Sequence, residues 1–383
     1  MDMKKIIRVG VVSLIFLAVV SLHGITDMRQ ANQMIFMLGM ISMFSLVLRN
    51  IWATLFLCWT VFLYSFFKFE TGSIYLSNIF FGSILYFVTK SSFKRQNIDL
   101  FVNAFLWFVF VNVAFMVVQS VGFDFVHKEI ISRVIVEHVE NTRMNGFMGH
   151  ASILGTLIAL AIPMLASRGS KWAMVGAIGL FFPLYLCKTS LCFIAGLVGL
   201  LFILFFRIPR KIWILVLISS IVCGTFYVKK VDGFGVERFG MWKRILNDST
   251  IHPVTGWGLD SFANVTPQKN FRYYASVEKY DTHVTTKGKK YNDITKISWW
   301  DNTHNLYISL AYEFGYVGLF LFIAYIRQGV VRFKKSIKNV NTIALAGFLL
   351  VFLIISMGHF PIFLARMACF IIPAFALFEV STS

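Results

Sequence analysis

Long apolar runs constrain this chain more than any other feature of its sequence. A helix that crosses a bilayer needs about 20 mostly apolar residues, and about a dozen runs approach that length. Charged residues make up only 14% of the 383 positions, against roughly a quarter in soluble domains. The sequence therefore predicts an all-α, polytopic membrane protein with about 12 transmembrane helices, near 7–22, 33–48, 51–67, 74–89, 99–120, 150–167, 171–187, 189–206, 211–228, 304–326, 342–357 and 360–379.

Lysine and arginine predict the orientation of these spans, because short cytoplasmic loops are enriched in both. On one side, the short connections hold 17 lysine and arginine residues, from Lys4 to Lys338. On the other side, the short connections hold only Arg29 and Lys68. We therefore expect both termini in the cytoplasm. The predicted organisation is helices 1–5 in 1–120, an outer loop at 121–149, helices 6–9 in 150–228, a large outer loop at 229–303 and helices 10–12 in 304–383.

The large outer loop has more positive charge than orientation requires. It contains twelve Lys and Arg against eight Asp and Glu. An anionic ligand on the outer face is one explanation, and solvation or contact with anionic head groups is the other. The formal net charge of +18 follows first from membrane orientation, so we predict no nucleic-acid partner. No Cys and His spacing resembles a metal site, so we predict no metal and no cofactor.

Four ionisable residues within or at the ends of apolar runs are candidates for function, because charge inside a bilayer is costly. Lys188 lies where two spans meet, and it could bind a ligand or extend to the interface. Arg366 lies near the start of the last span, where a structural ion pair is the alternative. His304 begins the tenth span, as a catalytic residue or as a helix cap. Glu313 lies inside that span, and we favour a packed, hydrogen-bonded role for it.

The large loop also contains a compact polar and aromatic segment. Arg238, Trp242 and Ile245 fall on one side of a helix. The segment continues into Pro253–Phe262, where proline and a Gly-x-Gly predict a bend or a close backbone approach. Aromatic residues beside polar ones suit sugar stacking, and an amphipathic helix on the membrane surface is the alternative.

Five segments in order resemble the O-antigen ligase and polymerase superfamily of bacterial inner-membrane glycosyltransferases. The pattern His304-Asn305-x9-Gly315-x-x-Gly318 is similar to the superfamily hallmark. The other four segments are Arg143–Phe147 leading to Pro163, Cys187-Lys188-Thr189-Ser190 with Lys where many members have Arg, Arg238–Trp242 with Pro253–Phe262, and Leu364-Ala365-Arg366. The resemblance covers about 143–370, and the first five spans match only in hydropathy.

The resemblance implies an enzyme of the inner membrane whose active site faces the periplasm. Its donor would be a glycan on undecaprenyl diphosphate, and no metal or other cofactor would be needed. Arg143, Lys188, Arg238 and Arg366 would bind the diphosphate, and His304 would assist attack by an acceptor hydroxyl. Asn305, Trp242, Gly315 and Gly318 would support them. By their spacing alone, the two glycines predict the close approach of a neighbouring helix. Fixed positive charge is also what a diphosphate leaving group requires on physical grounds, so we expect a metal-independent, inverting transfer.

Three functions remain open on the sequence. A ligase would transfer the glycan to lipid A-core, and a polymerase would transfer it to a second lipid-linked glycan. A protein-glycosylating enzyme is a lesser variant of these. A transporter of lipid-linked sugars would instead show internal repeats and broken helices near the bilayer midplane. We favour the ligase, from the histidine pattern together with Arg366 in the last span, and we expect the large loop to form a partly helical lid over the site.

Overall fold

The fold is known from a computed structural model and is predominantly helical. The model describes 51–66, 82, 85, 86, 88–120, 146–148, 151–207, 209, 236–259, 261–262, 274–279, 295–299, 303–337, 339–358 and 365–382. These residues form eleven α-helices: α1 (Ile51–Phe66), α2 (Ile98–Ser120), α3 (Ala151–Ala166), α4 (Lys171–Gly179), α5 (Phe181–Leu186), α6 (Ser190–Phe205), α7 (Val236–Ser249), α8 (Leu306–Glu313), α9 (Gly315–Ser336), α10 (Val340–Ile355) and α11 (Ala365–Thr382).

The predicted spans at 7–22, 33–48 and 211–228 lie outside the described residues, as does most of 74–89. Among the described residues, the stretches Arg95–Ser120 and Gly315–Ser336 are long and apolar enough to cross a membrane. Large apolar side chains are exposed on several helices, including Trp107, Trp172, Phe182 and Phe320. Such a surface suits lipid better than water, and the count of 12 spans stays a prediction.

The core centres on α3, which packs against α6 and α10. Glycines allow the close approach of these three helices. A Cβ on Gly199 would lie 2.4 Å from Cγ2 of Val351, and a Cβ on Gly347 would lie 2.7 Å from Cβ of Pro163. Small residues at such crossings permit the van der Waals contact that holds apolar helices together in lipid.

Two predicted spans are interrupted. The span expected at 171–187 consists of α4 and α5. Pro183 explains this interruption, because its ring nitrogen cannot donate to the carbonyl one turn earlier. The span expected at 304–326 consists of α8 and α9, which separate around Phe314. The prediction of one continuous helix was wrong here, and the residues that stabilise the break belong to the candidate site.

The large loop contains α7 and a two-stranded antiparallel hairpin, β1 (Tyr274–Lys279) with β2 (Thr295–Trp299). Val277 pairs with Ile297 in this hairpin, and the register shifts between Tyr274 and Ser276. Within the described residues, the two strands of this hairpin depart from the predicted all-α fold. A lid that is partly helical was predicted, and its strands were not.

Contacts between helix ends place several termini at one end of the bundle, here called the His304 end. The amide of Leu306, at the start of α8, donates to the carbonyl of Ser356 just after α10. Gln119, in the last turn of α2, hydrogen-bonds Gly146 shortly before α3. A Cβ on Gly358 would lie 2.4 Å from Cδ2 of Leu191 in the first turn of α6. The starts of α3, α6 and α8 therefore lie near the ends of α2 and α10.

Candidate functional site

His304 and Lys188 share an unusual backbone conformation. Their φ angles are 50° and 49°, and they are the non-glycine residues with positive φ in the described part of the chain. This left-handed region costs an ordinary L-residue roughly 1–2 kcal/mol. Such strain persists where the surroundings impose it, and it concentrates at functional sites.

The residues on both sides of His304 hold it in this conformation. Asn305 is the N-cap of α8, and its Oδ1 accepts from the amides of Tyr307 at 3.0 Å and Ile308 at 3.2 Å. The Nδ2 of Asn305 donates to the carbonyl of Met357 at 2.9 Å. The side chain of Asn305 therefore caps the start of α8 and also fixes this helix to the turn after α10.

Thr303 is fixed just as firmly on the other side. Its Oγ1 lies 2.6 Å from Oγ of Ser309 and receives the amide of Asn305 at 3.2 Å. Its carbonyl accepts from Nε1 of Trp242 at 2.9 Å. Thr303 and Asn305 are buried, whereas His304 between them is half-buried. The imidazole thus extends from a clamped backbone at a position that remains partly accessible.

Trp242 belongs to α7, which packs on α8. Ile245 of α7 forms a buried cluster with Phe262, Ile308 and Tyr312. Trp242 and Trp257 are half-buried against this cluster. The apolar side of α7 therefore contacts protein, and the loop helix covers α8.

The loop at 252–258 inserts its backbone into the break between α8 and α9. The amides of Trp257 and Gly258 donate to the carbonyls of Tyr312 at 2.8 Å and Glu313 at 3.1 Å. In return, the amide of Tyr316 donates to the carbonyl of Pro253 at 2.8 Å. The loop thus supplies hydrogen bonds that the interrupted helix cannot make for itself.

A tryptophan from α1 completes the break. The Nε1 of Trp59 donates to the carbonyl of Phe314 at 2.8 Å. Glu313 beside it is 3% exposed, in agreement with the packed role favoured for it. Three consecutive carbonyls, of residues 312–314, are therefore bonded by groups from two distant segments.

The two glycines of the histidine pattern serve the break itself. Gly315 has φ of 70°, and a Cβ there would lie 2.1 Å from the carbonyl oxygen of Val254. A Cβ on Gly318 would lie 2.4 Å from Cβ of Phe314. We expected these glycines to admit a neighbouring helix. That expectation was wrong for Gly315, because the backbone of the loop makes the close approach there. The Gly-x-Gly of the loop had predicted a close backbone approach.

Lys188 lies in the short connection between α5 and α6, at the His304 end. Its amide donates to the carbonyl of Tyr185 at 3.0 Å, and the residue is half-buried. The next residue, Thr189, is buried against Gly155 of α3, where a Cβ would lie 2.4 Å from its Oγ1. Since Leu191 contacts Gly358 and Asn305 contacts Met357, the same turn after α10 supports the Lys188 and His304 segments.

The three candidate arginines, Arg143, Arg238 and Arg366, lie wholly or in part outside the described residues. Arg143 lies outside the described residues. Three residues later, however, Gly146 is held by Gln119, whose Oε1 receives the Gly146 amide at 2.9 Å and whose Nε2 donates to its carbonyl at 3.4 Å. Arg238 lies in α7 one turn before Trp242, and Arg366 is the second residue of α11. The side chains of Arg238 and Arg366 fall outside the described part.

Several positioning residues escaped the sequence analysis. Trp59, Gln119, Thr303 and Met357 hold the site through contacts between segments far apart in sequence. Buried amides and indoles in apolar helices are a usable signal, because each must find a partner, and Gln119 could have been noticed on that ground. No sequence pattern marks Met357, since its backbone carbonyl makes the contact.

The structure thus combines a helical fold with apolar outer faces and a half-buried histidine whose backbone is held by hydrogen bonds on both sides. Residues 153–323 match the family model of the O-antigen ligase domain. This match covers less than half of the chain, and it supports the O-antigen ligase and polymerase superfamily that the motifs indicated. No curated protein matches the sequence. The family supports activity of the ligase or polymerase type, with lipid-linked glycans as substrates in general.

Proposed function

We propose that this protein is a glycosyltransferase of the O-antigen ligase type in the bacterial inner membrane. It transfers a glycan from undecaprenyl diphosphate to a hydroxyl of lipid A-core at the periplasmic face. The observation that supports this most directly is the backbone of His304. It is held left-handed between Thr303 and Asn305 while the residue stays partly accessible.

In this mechanism His304 acts as the general base. A neutral imidazole accepts the proton of the acceptor hydroxyl, and this contributes ~10²–10⁴-fold to the rate. The acceptor oxygen bonds to the anomeric carbon as the bond from that carbon to the diphosphate oxygen breaks. Undecaprenyl diphosphate leaves with the electron pair, and the configuration at the carbon inverts.

Positive charge at the same end of the bundle stabilises the leaving group in this proposal. Lys188 precedes the first turn of α6, and Arg366 lies in the first turn of α11. Helix N-termini themselves attract anions. Arg143 and Arg238 complete the diphosphate-binding set. Arginine forks bind two phosphate oxygens at once, whereas Lys188 offers a point charge.

A transfer assay in membranes with a lipid-linked donor tests the base. We expect His304→Ala to lower the rate by ~10²–10⁴-fold. His252→Ala is the matched control, because His252 is exposed beside Trp257 and lies outside the clamp. Rates near the wild type for His304→Ala would remove this residue from the base role.

The acceptor separates the ligase from the polymerase. We propose to delete the gene and compare surface glycans on a gel. Loss of all polymer from the core identifies a ligase, and single repeats still attached to the core identify a polymerase that joins lipid-linked units. If the surface glycans on the core are intact and a protein is underglycosylated, the result would favour the protein-glycosylating variant.

A transporter of lipid-linked sugars is the alternative from another class. The interruption between α8 and α9 is the observation that favours it, because broken helices line the substrate sites of many transporters. Here, however, the freed carbonyls are bonded by Trp257, Gly258 and Trp59, so they are not left to coordinate cargo. Accumulation of unflipped donor inside the deletion strain would support the transporter.

A further inference from the structure

A second charged cluster lies at the opposite end of the bundle. Glu379 of α11 is 5% exposed and receives two cations. The Nζ of Lys90 lies 2.5 Å from its Oε2, and Nη1 of Arg332 lies 3.3 Å from the same oxygen. Two positive charges on one carboxylate leave the cluster with a formal surplus of one. A surplus positive charge beside an apolar cavity attracts an anion more strongly than the same charge in bulk water does.

This cluster borders an apolar cavity. The cavity has a volume of about 310 Å³ and lies among α6, α9, α10 and α11. Phe202, Tyr325, Phe333, Leu349, Phe375 and Phe378 line it, together with Arg332 and Glu379. Its size is at the lower end of ligand pockets in proteins. A ligand that fits must therefore be mostly apolar and anionic at one end.

Arg332 connects the two features. Its side chain is 32% exposed, and a guanidinium has five N–H donors in a fixed plane. The ion pair with Glu379 is made through Nη1, and the partial exposure of the side chain leaves the guanidinium accessible to an anion at the surface. Its neighbours Val330 and Val331 are about half exposed, as expected where a helix faces lipid.

We infer that this cavity binds an anionic phospholipid of the bilayer. The phosphate contacts Arg332, and an acyl chain occupies the apolar cavity. Basic pockets between transmembrane helices bind anionic head groups in the same manner. From Gly315 to Arg332, α9 rises about 26 Å, so the lipid site is separate from the His304 end. A free phosphate ion shares the head-group chemistry but would leave the apolar walls unfilled.

Lipid retention by the purified full-length protein tests this inference. The protein in neutral detergent is mixed with phosphatidylglycerol or phosphatidylcholine, and retained lipid is counted by native mass spectrometry. We expect phosphatidylglycerol to be retained at least about tenfold better, the effect of one charge-assisted hydrogen bond. Equal retention of the two lipids would overturn the proposal, as would displacement of the lipid by millimolar inorganic phosphate.

Variants separate the charge from the cavity. Arg332→Gln should lower retention of phosphatidylglycerol about tenfold, and Arg332→Lys should restore part of it. Lys335→Gln makes the same charge change on the exposed side of α9, outside the cavity lining, and should leave retention unchanged. Ala346→Leu places a larger side chain in the cavity and should lower retention with all charges intact. Equal losses in Arg332→Gln and Lys335→Gln would contradict a specific site.

Discussion

At the scale of single residues, the strained backbone at His304 and Lys188 is the informative feature. The sequence marked both residues as candidates, because charge and imidazole at the ends of apolar runs are rare. Their left-handed conformation could not, since neither histidine nor lysine signals positive φ as glycine does. For Asn305, one part of its role was predictable from the sequence and the other was not. Its role as an N-cap follows from an asparagine immediately before an apolar helix, but its bond to Met357 does not.

The charge of Lys188 can be tested apart from its conformation. Asparagine tolerates the left-handed region, so Lys188→Asn should leave the melting temperature close to that of the wild type. We expect its transfer rate to fall at least tenfold, because one fixed positive charge is lost from the leaving group. Lys188→Arg should retain most activity. An unchanged rate in Lys188→Asn would exclude the side chain from diphosphate binding.

The cap at Asn305 predicts a change in stability. Asn305→Ala removes the acceptor for two amides and should lower the free energy of unfolding by about 1–2 kcal/mol. Asn305→Asp keeps the acceptor and loses the donor to Met357, so its loss should be smaller. Chemical denaturation in detergent measures both. An equal loss in the two variants would mean that the bond to Met357 dominates, because both variants lack it.

At the scale of elements, hydropathy predicted where helices lie and failed at their interruptions. Helices α2, α6 and α10 lie within a few residues of the predicted spans. The break before Gly315 was missed because apolar residues continue through it. What stabilises the break comes from 252–258 and from Trp59, which are remote in sequence. The glycine pattern was visible, but only the fold shows that a loop carbonyl occupies the space of a Cβ.

Gly315 should therefore tolerate no side chain. Gly315→Ala combines a left-handed φ with a Cβ that would lie 2.1 Å from the Val254 oxygen. We expect a loss of about 2 kcal/mol or more in the free energy of unfolding. Gly179→Ala is the matched control, because a Cβ there meets nothing within 4 Å. Equal stability of the two variants would show that the loop does not occupy the break.

The contact between α7 and Thr303 is also testable as an element. Trp242→Phe keeps most of the apolar packing and removes the N–H that bonds the Thr303 carbonyl. We expect a loss of about 1 kcal/mol in stability. Because this carbonyl precedes His304, we expect the transfer rate to fall by a larger fraction than the free energy of unfolding does. Trp257→Phe, whose indole instead bonds the carbonyl of Asp248, should affect the rate less.

At the scale of the whole molecule, the sequence predicted a membrane protein and an orientation. The helical fold and its apolar exterior agree with the former. The orientation rests on lysine and arginine in short loops. The opposite ends of α9 differ accordingly, since its last turn contains Lys334 and Lys335 while the loop at 252–258 lies at its start.

Cysteine labelling checks this orientation. All five native cysteines are replaced by serine, and single cysteines are then placed at Ile251 or Lys335, both exposed. An impermeant thiol reagent added to spheroplasts should label Ile251→Cys and leave Lys335→Cys unlabelled until the membrane is opened. The reverse pattern would invert the proposed topology and move the reaction to the cytoplasm.

The loop seated in the helix break has a mechanical consequence. Helix α8 spans eight residues, about 12 Å, and is anchored by the turn after α10 at one tip and by the loop at the other. It is therefore a short segment fixed at both tips rather than part of one continuous helix. Since the loop and His304 lie at opposite tips of this segment, the position of the loop is coupled to the backbone of His304 over that distance.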